Sequence, residues 1–177
     1  MGYSKLEKNL IDLMKEEQAK LGYRKEAVRL YYPLSSLNHL FEAEDSVDAM
    51  QERLIHFPED MTAKLGMLTV THKGDRFCFR IPEEGSEYVH EHMGANEFIK
   101  ELVEMLWQHG TTMEQIRALF DRHADGVICE NIDNGEFDYL LRFPESVGDP
   151  YYYCFKDEGF HFIYHRFLPE DYADFDF

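Results

Sequence analysis

Hydrophobic and polar positions change their period along this chain, and the change separates helices from strands. Leu6, Leu10, Leu13, Met14 and Leu21 recur at helical spacing behind Ser4 and Glu7, a capping-box pair, and Gly22 follows as a stop; the spacing predicts a helix over 4–21. Pro33 can open a second helix over 34–42, and Asp45 or Ser46 can cap a third over 47–56 with Val47, Met50 and Leu54 as its stripe, ended by Phe57-Pro58. Asn96 caps a helix carrying Ile99, Leu102, Val103 and Leu106, and Thr112 with Gln115 forms another capping box ahead of Met113, Ile116, Leu119 and Phe120. Val28, Leu30 and Tyr32 fit a short strand or a helix end equally well. Residues 83–95 read as polar and irregular, with room for a short helix after Ser86.

Period two takes over twice. Residues 66–82 predict a hairpin with Lys73-Gly74 as its turn, so that Val70 faces Phe77 and Leu68 faces Phe79, while Thr69, Thr71, Arg76 and Arg80 point to water. Residues 127–167 are strand-like, strongly aromatic, and cut by Asn134-Gly135 and by Lys156-Asp157-Glu158-Gly159. Phe137, Tyr139, Leu141 and Phe143 share one face there, and the runs 151–155 and 160–167 are apolar enough to bury both faces. The expected fold is α+β: a mixed or antiparallel sheet of about five or six strands, joining the hairpin to the later strands, packed against mostly N-terminal and central helices. Residues 1–168 read as a single domain and 169–177 as an acidic, aromatic C-terminal tail.

Charge narrows the partners. The chain has 35 acidic and 18 basic residues, a formal net charge of −17. Such a surface repels phosphate backbones and anionic lipid, which argues against nucleic acid and membrane and leaves a protein partner with a basic surface. Cys78, Cys129 and Cys154 are an odd, widely spaced set, unlike a disulfide framework or a zinc cluster. No signal-peptide pattern opens the chain and no apolar run of membrane length occurs, so the expectation is a cytoplasmic protein.

Candidate chemistry is sparse. Asp121-x-His123-x-Asp125-Gly126 imitates the start of a calcium loop, but Ile132 stands where the closing acid belongs, so the segment reads as a helix end. His90 and His92 lie on one side only if the backbone there is extended, and two imidazoles still lack further ligands. His161 and His165 share a strand face and read as sheet histidines or as ligands. Cys154, between Tyr153 and Phe155, reads as a small buried hydrophobe. No nucleophile elbow and no phosphate-binding glycine loop is present, and neither cofactor nor metal is expected. Tyr172, Phe175 and Phe177 in the tail either pack on the parent domain or dock in trans.

The stretch with Glu130, Glu136-Phe137-Asp138-Tyr139 and Tyr151-Tyr152-Tyr153-Cys154-Phe155-Lys156, closing in Tyr164-His165-Arg166-Phe167, resembles domain-of-unknown-function family 3877, a family of small uncharacterised bacterial proteins. The resemblance implies a soluble bacterial α+β domain and carries no activity. The function read from the residues leans to a non-enzymatic, intracellular, acidic binding or protein-interaction domain. Two alternatives stay open: a metal- or His/carboxylate-assisted hydrolase, and an acidic inhibitor or immunity-type protein that binds a basic partner.

Overall fold

The hairpin at 66–82 is present, one step further along the chain than its sequence suggests. In a computed structural model, which describes residues 2–175, strands β2 (Thr69–Lys73) and β3 (Arg76–Ile81) pair antiparallel with Val70 opposite Phe79 and His72 opposite Phe77. The turn is Gly74-Asp75, not Lys73-Gly74. Gly74 takes φ +59° as the first central residue, the place where a II′-type hairpin turn wants glycine. The slip moves the register by an even step, so Val70, Phe77 and Phe79 keep one face, as the pattern required.

Among the described residues the α+β fold holds, with seven strands in two antiparallel sheets rather than five or six in one. The chain divides into two compact units, Met1–Glu97 and Phe98–Phe177, each with its own sheet.

The first unit holds α1 (Ser4–Leu21), β1 (Val28–Pro33), α2 (Leu34–Phe41), α3 (Val47–Arg53), α4 (Phe57–Leu65), the hairpin β2–β3 and α5 (Glu83–His92). Its strands run in the order β1-β3-β2, so β3 is central and β2 is an edge. The face carrying Leu30, Tyr32, Phe77, Phe79 and Ile81 is buried. Phe57 meets Phe79 edge-on at 5.8 Å, and the Tyr32 hydroxyl donates 2.7 Å to Asn9 Oδ1 on α1, which gives that buried amide a partner.

Four local expectations change here. The Ser4–Glu7 capping box does not form: Tyr3 is the N-cap, without a side-chain bond, and Glu7 pairs with Lys64 instead. Leu21 is exposed rather than on the buried stripe. Phe57-Pro58 opens α4 instead of merely ending α3, since proline is tolerated in a first helical turn; Phe57, Met61 and Leu65 then fall at spacing four, all buried. Residues 83–92, polar in pattern with room for a short helix only after Ser86, form α5 already from Glu83.

The second unit holds α6 (Glu97–Leu106, from Phe98 onward), α7 (Met113–His123), β4 (Ile128–Asn131), β5 (Tyr139–Arg142), a 3-10 turn at Glu145–Val147, β6 (Tyr152–Asp157), β7 (Phe162–Phe167) and α8 (Pro169–Asp174). The Thr112–Gln115 capping box at the start of α7 forms as expected. The strands make a meander in the order β4-β5-β6-β7, and both faces of β5 are buried, at Leu140 and Leu141. Leu141 and Tyr153 share the face on which Phe98, Phe120 and Phe143 gather; Leu140, Cys154 and Phe167 share the other. Phe137 leaves its expected face and packs edge-on against Phe167 at 5.8 Å. Asn134 causes this: its Oδ1 accepts the amides of Glu136 and Phe137, which bends the chain, and the strand starts only at Tyr139.

Candidate functional site

The candidate site is a groove in the first unit, of about 360 Å³, between the face of β2 and the α3–α4 turn. Leu54, Ile55 and Pro58 form one wall and Val70 and Phe77 the other; Gln51, Glu52 and His72 supply its polar rim. Ile55 is 69% exposed, a large apolar side chain held in water at the mouth. Its position follows from local structure: Leu54 ends α3 pointing inward, and the next residue must point out before Phe57 turns back into the core.

His72 closes one end. Its Nδ1 lies 3.1 Å from the Gly74 carbonyl oxygen and its Nε2 3.3 Å from Gln51 Oε1. A carbonyl only accepts, so Nδ1 donates to Gly74, while Nε2 faces the Gln51 side-chain oxygen.

Backbone geometry makes the groove more than a dent. Lys73 and Arg76 flank a two-residue turn and form a hydrogen-bonded pair. Alternation then makes Val70–Phe79 and His72–Phe77 the non-hydrogen-bonded pairs. The N–H and C=O groups of Val70 and His72 therefore point away from β3, to the outer edge of the sheet. The two residues whose side chains line the groove also present the edge backbone.

The candidate histidines fall in two pairs, one in each unit. His90 and His92 sit on α5, where residues two apart point to different sides: His90 stacks on Tyr23 at 4.0 Å and 3°, and His92 lies beside Tyr88 at 4.8 Å. The extended backbone that would have aligned them is absent. In the second unit His161 is in the turn before β7, against Phe160, and His165 is on β7, against Phe167. Among the described residues no group of three His, Cys, Asp or Glu side chains is arranged to hold a metal ion. The imitation calcium loop is the end of α7, with Gly126 at φ +82°.

Burial pushes the Cys154 thiol up to about 12, so at neutral pH it is a protonated, packed group. The Tyr153 phenol is also pushed up by burial and donates 2.6 Å to Asp149 Oδ2, while the Arg166 guanidinium lies 4.4 Å from the Tyr151 ring centre. This network ties the β6 and β7 strands together.

Of the tail residues, Tyr172 packs on the Leu140–Cys154–Phe167 cluster, and Phe175 meets Phe167 at 4.8 Å. Phe177 lies outside the described residues. Deleting residues 170–177 is expected to lower the melting temperature and to speed labelling of Cys154 by a thiol reagent, because Tyr172 is part of its cover. A truncated protein with unchanged melting and labelling would show that the helix adds nothing to the sheet.

Fold and groove together describe an α+β protein built on two small antiparallel sheets, with a side-chain groove along one exposed strand edge. A family model described as "Domain of unknown function, E. rectale Gene description (DUF3877)" matches residues 3–175, and the chain belongs to that family. No curated protein and no solved structure matches it. Among the described residues, no helix is long and apolar enough to cross a membrane.

Proposed function

We propose that the protein is a non-enzymatic, intracellular interaction domain that takes an extended segment of a partner protein beside β2. One observation carries this reading: Val70 and His72 present both the outward backbone groups and the groove-lining side chains. A strand added about 4.8 Å from β2 would bond to those groups, and every second side chain would enter the groove against Leu54, Ile55 and Pro58. Main-chain bonds supply affinity, and the apolar pocket selects the side chain. The net charge of −17 favours a partner whose surface around the segment is basic.

The test is selection of peptides from a displayed random library on the intact protein, with the Ile55→Asp variant as counter-target. Ile55 is 69% exposed, so the substitution is expected to change stability by no more than about 0.5 kcal/mol. Enriched peptides should carry apolar residues at alternate positions and lose at least about tenfold in affinity for Ile55→Asp, the ~1.4 kcal/mol of one buried anchor. Peptides that bind Ile55→Asp as well as the parent would place recognition elsewhere.

A further inference from the structure

The outer face of the first unit's sheet carries a charge of the wrong sign for this protein. Three cross-strand rows make up that face: Arg29, Arg80 and Thr69; Tyr31, Cys78 and Thr71; Pro33, Arg76 and Lys73. Four of these nine positions are cations and none is acidic, in a chain whose acids outnumber its bases 35 to 18. All four cations are exposed, and among the described residues none of them makes an ion pair.

The arrangement works against the free protein. Arg29 sits directly opposite Arg80, and Lys73 directly opposite Arg76. Like charges at directly opposed positions destabilise a strand pair. Lys73 on β2 and Arg29 on β1 have an ordinary explanation, since a cation on an edge strand guards against edge-to-edge pairing. Arg76 and Arg80 do not share it: they lie on β3, the central strand, where there is no edge to guard. Arg76 is also held in place, its guanidinium 4.3 Å from the ring centre of Tyr31, itself 50% exposed. An arginine placed over an aromatic ring keeps N–H groups that can meet a carboxylate in bidentate fashion.

We infer that this sheet face is a docking surface for an acidic segment of a partner protein, whose carboxylates neutralise Arg29, Arg76, Arg80 and Lys73. Size and field select that occupant over a nucleic acid. Three strands of five or six residues span roughly 10 Å by 17 Å, room for about three or four carboxylates. A short acidic segment fits inside those limits. A polynucleotide runs on past them, at one charge per few ångströms, into a surface whose net charge is −17. The inference stands on the opposite side of the sheet from the groove and does not depend on it.

The experiment uses the full chain and a fluorescein-labelled six-residue peptide of alternating glutamate and serine, about 20 Å long when extended, followed by anisotropy at low and at physiological salt. A single-stranded oligothymidylate of twelve residues serves as the competing probe. The peptide is expected to bind saturably, to weaken as salt rises, and to lose about tenfold or more in affinity in Arg76→Gln/Arg80→Gln. Thermal melting of that double variant should be unchanged or slightly higher, because each substitution removes a like-charge pair. Absence of peptide binding, equal binding by the double variant, or tighter binding of the oligonucleotide than of the peptide would each overturn the proposal.

Discussion

Replacing Phe120 with alanine should cost about 3–5 kcal/mol, the largest loss expected of any single substitution in the second unit. Phe120 is fully buried on α7 and meets four other aromatic rings. Its ring centre lies 4.8 Å from Phe98, 5.1 Å from Phe143, 5.2 Å from Tyr153 and 6.1 Å from Phe155. Truncation removes the transfer free energy of the ring and leaves a cavity at the centre of that cluster. Rings on strands and helices cannot all move in to fill it. Urea denaturation followed by amide exchange should show protection lost first in β5 and β6, whose Leu141 and Tyr153 form the same face. Phe160→Ala is the control: Phe160 is 65% exposed, and its loss should fall within about 0.5 kcal/mol. Equal effects at the two positions would mean that the aromatic cluster is not the core of this unit.

Gly85→Ala is expected to be the costliest small substitution in the first unit, at about 1–3 kcal/mol or more. Gly85 lies in α5 with ordinary helical geometry, so an alanine would by itself favour the helix, by up to about 1 kcal/mol. Space decides the sign. A Cβ at this position would stand 2.4 Å from the Leu65 carbonyl oxygen at the end of α4 and 2.5 Å from Ile81 Cγ2 on β3. The first neighbour is backbone and cannot rotate away. The helix must shift off both α4 and the sheet, and the midpoint of denaturation should fall. A Gly85→Ala protein as stable as the parent would show that α5 does not approach α4 so closely.

Helices and strands with a clean period were legible in the sequence. Residues 4–21, the helix behind the Thr112 capping box and the alternation in 66–82 each mark one face buried and one wet, and local pattern is all that such a mark needs. What failed was long-range. Two antiparallel sheets and one five- or six-stranded sheet produce the same alternation, since a strand's pattern records that it is half-buried and not which strand lies beside it. Phe57-Pro58 looks like a stop in the local pattern, although Phe57, Met61 and Leu65 form a helical stripe behind it.

The site was less legible than the fold. The spacing of His90 and His92 suggests chemistry, yet helical geometry splits the two and each packs against its own aromatic neighbour. Ile55 carried no signal, because one apolar residue between two helices belongs to no stripe. Its significance comes from Val70 and His72, which reach it only through the hairpin register, and that register rests on which side of Gly74 the turn falls. The cationic sheet face is visible in part: strand alternation points Arg76 and Arg80 to water. Arg29 joined them only once β1 paired with β3.

Amide hydrogen exchange on the intact protein, with and without the peptide selected for the groove, tests the central claim most directly. Strand addition beside β2 predicts slower exchange at the amides of Val70 and His72, whose N–H groups face the open edge. Those of Thr69, Thr71 and Lys73, already bonded to β3, should change little. Protection that appears at both sets alike, or away from β2 while Val70 and His72 exchange as in the free protein, would contradict it.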